Sequence, residues 1–247
     1  MIKKIYKKIK SKFFKNPFGT QNSQNRNDWL KSVLEDIPSE STSLDAGAGS
    51  GKKKKYCKHL NYISQDIAEY EGNSKSGGLH TGLVDYTGLD IVSDIVDIPL
   101  NDDSVDAIMC IEVIEHVEDP LLVFKEFSRL LKKDGVLILT APFNSLTHYS
   151  PYHYATGFSK FYYQKNLPKF NFEILNIEPN GNYFEYFAQE TRRINEVSKT
   201  YSNKTLYSPF YYLSRIYMLN LLRKLSKKDK GSSELLCFGY NVTAKKI

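Results

Sequence analysis

Residues 44–51 read Leu44-Asp45-Ala46-Gly47-Ala48-Gly49-Ser50-Gly51, a glycine-rich loop that follows a short apolar stretch. Glycines at alternate positions permit positive φ angles and let a ligand approach the backbone more closely than a Cβ would allow. A dinucleotide fingerprint, G-x-G-x-x-G, would need its third glycine where Lys52 stands. A phosphate-binding P-loop would need a glycine at Ala46 and a serine or threonine at Lys53. Each of these two motifs lacks a residue that its ligand-binding function requires, so both are excluded. The pattern that the loop does match is D-x-G-x-G-x-G.

The composition is that of a soluble globular protein, with 41% hydrophobic and 25% charged residues in a chain of 247. No apolar run approaches the ~18 residues that a membrane span requires, and no secretory signal is evident. Three widely spaced cysteines predict reduced thiols in a cytoplasmic protein. Cys57 and His59 lack a second pair to complete a metal site, so no metal is expected.

The net charge of +6 is concentrated in the N-terminal tail, where seven lysines and no acidic residue occupy the first 15 positions. The rest of the chain is close to neutral, which argues against a nucleic-acid partner. Apolar residues at helical spacing over positions 2–14 favour an amphipathic helix that makes peripheral contact with a membrane or docks a partner. A solvated tail is the alternative. We assign residues 1–26 to this tail and a linker, and residues 27–247 to the main domain.

Strand and helix patterns alternate through the first half of the main domain. This alternation predicts an α/β fold with a parallel sheet covered by helices on both faces and ligands at the carboxyl ends of the strands. An aromatic-rich helical cap is predicted over residues 183–230. A short helix is expected over Asp28–Ile37 and a second over Pro120–Leu131. The predicted strands are Ser43–Ala46, Tyr62–Gln65, Ile91–Ser93, Ala107–Ile111, Val136–Ala141 and Leu235–Ala244.

Four later features accompany the glycine loop in a fixed order. Asp66 ends the second predicted strand, 19 residues after Gly47, where a carboxylate can accept both hydroxyls of a ribose. Segments Ser93–Leu100, Cys110–Pro120 and Arg129–Pro142 follow. Together these features resemble the class I S-adenosylmethionine-dependent methyltransferases, and in particular those of bacterial glycan biosynthesis pathways. The resemblance covers about residues 42–142.

The resemblance implies a Rossmann-like fold with a seven-stranded, mostly parallel sheet, and S-adenosyl-L-methionine as cofactor with S-adenosyl-L-homocysteine as product. It implies that Asp94 meets the adenine amino group and that the backbone at Cys110 and Ile111 faces the methionine part of the cofactor. Two positions depart from the pattern: Asp134 stands where a second glycine is more usual, and a run of lysines begins at Lys52. We expect those lysines to point to solvent. The cofactor-binding residues implied are Asp45, Gly47, Ala48, Gly49, Asp66, Ile67, Asp94, Ile95, Cys110 and Ile111.

Two histidines, His148 and His153, follow the fifth predicted strand and are the candidate catalytic residues, because an imidazole can remove a hydroxyl proton near neutral pH. His148 ranks first, since its segment resembles an H-x-x-P-x-[DH]-Y pattern of the glycan methyltransferases. A structural, hydrogen-bonded role is the alternative for either histidine. Glu112 and Tyr152 are candidates for contact with the acceptor, whereas His116 is expected to order the loop after the fourth strand.

The acceptor class follows from the resemblance and from two absent motifs. The chain lacks the Asp/Asn-Pro-Pro-Tyr motif of enzymes that methylate base amines and the Pro-Cys nucleophile of pyrimidine C5 chemistry. We therefore expect O-methylation of a sugar hydroxyl in a glycan or lipid-linked glycan precursor, in the cytoplasm or at the cytoplasmic face of a membrane. One alternative is a small-molecule methyltransferase acting on a quinone-like or phenolic acceptor. A second is a non-catalytic protein that keeps the fold and binds a membrane or a partner.

Overall fold

The computed structural model describes residues 18–72, 78–79, 82–202 and 204–247. The chain divides into two compact units. Among the described residues, the sheet unit comprises those within 26–180 and 239–247, and the helical unit comprises residues 18–25 and those within 181–238. The amphipathic helix predicted over positions 2–14 lies outside the described residues.

The sheet unit contains seven strands. They are β1 (Thr42–Ala46), β2 (Asn61–Asp66), β3 (Ile91–Val92), β4 (Val105–Ile111), β5 (Leu131–Pro142), β6 (Phe172–Asn180) and β7 (Gly239–Lys246). Their order across the sheet is β3-β2-β1-β4-β5-β7-β6. Strands β1 to β5 pair in parallel, and β7 runs antiparallel to both β5 and β6. This architecture confirms the predicted Rossmann-like methyltransferase fold with a mostly parallel sheet.

The central strands are buried on both faces. Side chains alternate between the two faces of a strand, so Ala107 and Met109 of β4 share one face and Ile108 and Cys110 share the other. All four are fully buried. The first face packs against helix α1 (Asn22–Glu35), which contributes Leu30 and Leu34 to the same apolar cluster.

Helix α1 begins earlier than expected. It starts at Asn22, so the prediction of a linker through residue 26 is wrong for residues 22–26. The stretch is rich in asparagine and glutamine, which are typical of loops. Burial of Leu30 and Leu34 holds the helix in place despite that composition, because tertiary packing overrides weak local propensity.

The connections between β1 and β4 carry fewer helices than the strand–helix alternation predicts. In the described residues between β1 and β2 the only helical element is a 3₁₀ turn at Lys54–Tyr56, and none occurs in the described parts of 67–90 and 93–104. A run of lysines at Lys52–Lys55 opposes a helix N-terminus, where the macrodipole favours negative charge. The glycine loop is therefore followed by a tight turn.

Two further helices belong to the sheet unit, α2 (Pro120–Leu130) and α3 (Lys160–Asn166). Helix α2 begins at the predicted proline and ends one residue before the predicted Leu131, and the Asp119 side chain accepts a hydrogen bond from the Leu121 N–H. That arrangement is a typical N-terminal cap. Strand β5 starts at Leu131, five residues before the predicted Val136, and β7 begins after the predicted Leu235. Helix α3 and strand β6 were not predicted.

The helical unit is formed by α4 (Tyr183–Tyr201) and α5 (Pro209–Ser226). A capping box between Asn182 and Glu185 starts α4. Ala188 packs with Leu219, Leu222 and Phe18 in a small apolar cluster. None of the described helices has the length and apolar character needed to cross a bilayer. Several aromatic side chains of this unit are solvent-exposed: Phe187, Tyr201, Tyr207, Phe210 and Tyr217.

Candidate active site

The glycine loop after β1 is anchored to the end of β2. The N–H groups of Gly47 and Ala48 both donate to the carbonyl of Gln65, each at 2.9 Å. Gly47 has φ of +77°, and a Cβ at this position would lie 2.5 Å from Cγ2 of Val113. Because both the backbone conformation and the lack of space require it, no other residue fits here. The loop is thereby held open at the carboxyl edge of the sheet.

Asp66 is the last residue of β2 and organises the loop through its carboxylate. Its Oδ2 accepts a hydrogen bond from the N–H of Gly49 at 2.8 Å, and its Oδ1 accepts one from the N–H of Ala68 at 2.9 Å. Each carboxylate oxygen retains a second lone pair, which leaves acceptors for the hydroxyls of a ribose. Ile67, next in the chain, is half-exposed beside it.

Asp45 is a buried carboxylate at the end of β1. The Tyr62 hydroxyl donates to its Oδ2 at 2.7 Å. Burial raises the pKa of Asp45 to about 6, while the hydrogen bond from Tyr62 and the charge of Lys53 act in the opposite direction. The aspartate of the D-x-G-x-G-x-G motif therefore lies in an environment that disfavours its ionised form.

Lys53 differs from its neighbours in the lysine run. Lys52, Lys54 and Lys55 are exposed as expected, but Lys53 is half-buried and its Nζ donates to Oδ1 of Asn27 at 2.6 Å. Burial lowers its pKa, and the nearby Arg26 lowers it further. The expectation that the whole run points to solvent is therefore wrong for this one residue, which lies near Asp45.

The end of β3 is tied to the glycine loop by Gln65, which the sequence analysis missed. Its side-chain amide donates to the carbonyl of Ser93 at 2.7 Å, and its Oε1 accepts from the N–H of Gly47 at 3.3 Å. Asp94 follows Ser93 and accepts the N–H of Val96 at 3.1 Å. Gln65 is almost completely buried, a property that its position in the sequence does not reveal.

The remaining cofactor candidates lie at the same edge. Ile95 is buried directly after Asp94, and Cys110 and Ile111 are the last two residues of β4. Burial raises the pKa of the Cys110 thiol well above its ordinary value, so this side chain stays protonated. Because parallel strands place their carboxyl ends together, the structure brings all ten predicted residues to one edge of the sheet.

An open groove of about 400 Å³ lies next to the glycine loop. A Cβ added to Gly49 would lie 3.9 Å from Val84, one of the groove residues. The lining includes both apolar and hydrogen-bonding side chains, as expected of a small-molecule site. The groove is lined by Ala68, Tyr70, Glu71, Leu83, Val84 and Tyr86.

Glu112, a predicted acceptor contact, is already engaged with other side chains. It has φ of +58°, its Oε2 lies 3.0 Å from Nη1 of Arg26, and its Oε1 accepts from the Thr140 hydroxyl at 3.0 Å. Glu115, three residues later, is fully buried, and burial together with the charge of Glu112 raises its pKa well above the ordinary value. Glu112 is thus held in place by an ion pair that the sequence analysis did not foresee.

Three histidines meet beside these acids. The rings of His148 and His153, predicted as a pair, have centroids 4.9 Å apart. His116 joins them, with its ring centroid 4.7 Å from that of His148 and 6.0 Å from that of His153. Nδ1 of His116 lies 2.5 Å from the Tyr152 carbonyl, a contact that orders the loop, while the Tyr152 hydroxyl donates to Oε2 of Glu69 at 3.2 Å.

Burial disfavours the charged form of two of the three histidines, His116 and His153. Burial lowers the pKa of His116 to about 4, with His148 and His153 adding to the effect. Burial also lowers the pKa of His153. His116 belongs to a 3₁₀ turn after β4, and the other two histidines follow β5. The cluster therefore lies at the same carboxyl edge as the predicted cofactor-binding residues. No signal in the sequence links His116 to residues more than thirty positions away.

The comparisons with known proteins agree with this geometry. Residues 44–139 match the family model described as a methyltransferase domain. Over 49 residues the chain is 43% identical to the ubiquinone biosynthesis O-methyltransferase of Haemophilus ducreyi, covering 20% of this chain and 21% of that protein. The chain thus aligns with about a fifth of the length of this curated relative.

Solved methyltransferase structures share the fold across most of the chain. A candidate sarcosine dimethylglycine methyltransferase from Galdieria sulphuraria superposes with a TM-score of 0.54 at 18% identity, covering 91% of this chain and 86% of that one. Phosphoethanolamine N-methyltransferase 2 of Haemonchus contortus, in complex with S-adenosyl-L-methionine, gives a TM-score of 0.52 at 16% identity, covering 90% of this chain and 52% of that one. At such identities the likeness shows the fold alone, whereas the matched domain supports a methyltransferase.

Proposed function

We propose that this chain is an S-adenosylmethionine-dependent O-methyltransferase. The observation that carries the proposal is the meeting of two groups of residues at one edge of the sheet. The glycine loop, Asp66 and Asp94 lie at the ends of β1, β2 and β3. A cluster of three histidines lies after β4 and β5. The first group supplies what a nucleoside-containing methyl donor needs, and the second supplies bases for a hydroxyl acceptor.

The methyl donor is bound by backbone groups and carboxylates. Gly47 and Gly49 let the donor approach the loop, the carboxylate of Asp66 accepts the ribose hydroxyls, and Asp94 with the backbone of Ile95 binds the adenine. The sulfonium is already an activated leaving group. The protein therefore has to align the acceptor oxygen, the methyl carbon and the sulfur, and to exclude water.

The acceptor hydroxyl is placed at the histidine cluster. Nδ1 of His148 lies 2.9 Å from the Leu146 carbonyl. A carbonyl oxygen only accepts, so Nδ1 carries the proton and Nε2 presents a lone pair. That lone pair can take the proton of the hydroxyl as the methyl group is transferred. His153 is the second candidate for the same role.

The acceptor we favour is a sugar hydroxyl of a glycan or lipid-linked glycan precursor. Support comes from the aromatic rings around the cluster, with Tyr149 packed against Tyr70 at 4.3 Å between centroids and also against His116 at 5.0 Å. Such faces pack against the C–H surface of a sugar, and phenols add hydrogen bonds. The basic residues 1–15 are proposed to bring the protein to the cytoplasmic face of a membrane, where lipid-linked precursors lie.

A phenolic or quinone-like acceptor is the second candidate. The match to a ubiquinone biosynthesis O-methyltransferase favours it, because the name of that protein refers to the biosynthesis of a quinone. The two candidates require the same donor site and the same deprotonation of a hydroxyl, so they differ only in the chemistry of the acceptor pocket.

The test is a methyl-transfer assay with radiolabelled S-adenosylmethionine against two acceptor panels, one of nucleotide-linked and lipid-linked saccharides and one of catechols and hydroquinones. We expect transfer to a saccharide. We expect His148→Ala to lower turnover by about 100-fold while donor affinity stays unchanged. His59→Gln is the matched control, because His59 lies outside the cluster with its Nε2 3.1 Å from the Leu34 carbonyl. Transfer to catechols alone would favour the second candidate, and unchanged turnover in His148→Ala would refute the role of the cluster.

A further inference from the structure

We propose that His116, His148 and His153 are the protein ligands of a divalent transition-metal ion, with Zn²⁺ as the ion of choice. This goes beyond methyl transfer and departs from the expectation, based on the sequence, that the protein holds no metal. Among the described residues these three form the one group of histidine, cysteine and acidic side chains with metal-site spacing. Cys57 and His59 are not part of it.

The distances between the three imidazoles suit a single ion. One ligand atom from each histidine lies within 4.8 Å of those of the other two. Tetrahedral zinc with bonds of about 2.1 Å holds its nitrogen ligands about 3.4 Å apart. Side-chain rotations that move the ring nitrogens by roughly an ångström would therefore bring them to the separation that the ion requires. The rings are inclined to one another by 53° to 79°, so no two of them are stacked face to face.

Two of the histidines already make the hydrogen bond to a backbone carbonyl that metal-bound histidines typically make. Nδ1 of His116 donates to the Tyr152 carbonyl, and Nδ1 of His148 donates to the Leu146 carbonyl. A metal-bound histidine typically gives its other ring N–H to a carbonyl or carboxylate, which fixes the tautomer and the ring orientation. In both residues the free lone pair is therefore on Nε2.

The third histidine has buried nitrogens that lack a hydrogen-bond partner. Within the described part of the chain, neither Nδ1 nor Nε2 of His153 has a partner, although both atoms are inaccessible. Buried polar atoms without partners are rare and costly. A metal ion bound to one of these nitrogens supplies the missing interaction.

A buried acidic side chain also faces the cluster. Oε1 of Glu115 lies 3.7 Å from Nε2 of His116, and the side chain is completely buried. Neither of its carboxylate oxygens accepts a hydrogen bond from another described residue. A cation held by the imidazoles would stand close to this unpaired acid and would offset the cost of burying it.

The ligand set selects the class of ion and its chemistry. Neutral imidazoles suit Zn²⁺ and its first-row neighbours, whereas Mg²⁺ and Ca²⁺ prefer oxygen ligands. Three protein ligands leave a fourth position open, as in catalytic zinc sites. If the proposed methyl transfer is correct, the acceptor hydroxyl would bind at that position, where the ion would lower its pKa so that its proton leaves to solvent rather than to an imidazole. The acceptor oxygen would then bond to the methyl carbon as the bond from that carbon to sulfur breaks, with S-adenosyl-L-homocysteine as the leaving group.

Zinc binding is measured on the full chain without an affinity tag, stripped with a chelator and dialysed. Calorimetric titration with ZnCl₂ is expected to give one ion per chain. His153→Ala is the informative variant, because removal of a ring that makes no hydrogen bond is expected to leave the fold intact, and circular dichroism checks this. Loss of one ligand is expected to weaken binding at least about 100-fold, since loss of a residue that only hydrogen-bonds to a ligand already costs about 10- to 100-fold in affinity. His153→Asp keeps a ligand and is expected to bind more tightly than His153→Ala.

Co²⁺ provides a second readout, because a four-coordinate site gives visible absorption bands that six-coordinate surface binding does not. His59→Gln should retain both the zinc stoichiometry and these bands. The proposal is overturned if the folded wild-type chain binds no zinc, or if His153→Ala and His148→Ala bind it as tightly as wild type. Donor binding by the same metal-free protein is measured in parallel. Zinc binding without donor binding would refute the proposed function alone, and donor binding without zinc binding would refute the metal site alone.

Discussion

Asp45→Asn is predicted to stabilise the free protein while weakening its donor site. The Asp45 carboxylate is buried, and its pKa in the folded state is about 6 against an ordinary value of 3.8. Each tenfold change in the protonation equilibrium is worth about 1.36 kcal/mol, so holding the ionised form in the folded state costs about 3 kcal/mol at pH 7. Asparagine removes that charge and still accepts a hydrogen bond from Tyr62.

The sign of the pH dependence follows from the direction of this pKa change. Because the folded-state pKa of Asp45 is raised, its contribution to stability is fully present below pH 3.8 and is lost as the pH rises through about 6. The advantage of the asparagine variant should therefore grow between pH 4 and pH 7 and stay constant above pH 7. Above that range the variant should be more stable by up to about 3 kcal/mol, reduced by a weaker bond from Tyr62.

Urea unfolding at a series of pH values, followed by circular dichroism, measures this difference directly. Tyr62→Phe is the matched control, because it removes the hydrogen bond to Asp45 and leaves the charge buried. It should destabilise the protein above pH 7. An asparagine variant that is less stable than wild type at pH 7.5, or whose advantage does not change with pH, would refute the assignment of a raised pKa to Asp45.

Two further changes test the loop and the acceptor side of the site. Gly47→Ala should abolish donor binding and lower stability, because φ is +77° and the new methyl would overlap a neighbouring side chain. Gly51→Ala, where φ is +66° and no atom lies within 4 Å, should lower the free energy of unfolding by only about 1 kcal/mol. Thermal unfolding and calorimetric titration compare the two variants, and equal losses would contradict the steric argument. Arg26→Ala should lower the free energy of unfolding by about 1–3 kcal/mol, because it removes the guanidinium that pairs with the Glu112 carboxylate. Adding Glu112→Gln to this variant should restore part of the lost stability. If the stability losses of the two single variants simply add in the double variant, the result would argue against the ion pair.

Much of the sheet could be predicted from sequence, because the features that specify it are local. The glycine loop, the strand that precedes it and the capped helix at Pro120 are each encoded within about a dozen consecutive residues. Strand β6 escaped prediction because it is an edge strand with an exposed face and a proline near its end. Such strands lack the alternation of a half-buried one.

The contacts that complete the site connect residues distant in sequence, and for that reason they were not predicted. Lys53 looked like one member of a solvated run, and only the folded chain places it beside Asp45. His116 was expected to order a loop, which its bond to Tyr152 does, but its approach to the other histidines depends on β4 and β5 being neighbours in the sheet. The spacing of the three histidines along the chain does not reveal that they are close in the folded protein.

The central claim is that the carboxyl edge of the sheet binds S-adenosylmethionine, and calorimetric titration of the purified full chain tests it most directly. The wild type should bind both S-adenosylmethionine and S-adenosylhomocysteine. Asp66→Ala should lose at least about 10-fold in affinity, because charge-assisted hydrogen bonds to the ribose are removed. Asp103→Asn is the control, since this exposed residue precedes β4 at the opposite edge of the sheet. Absence of binding by folded wild-type protein, or equal affinity in Asp66→Ala, would contradict the account.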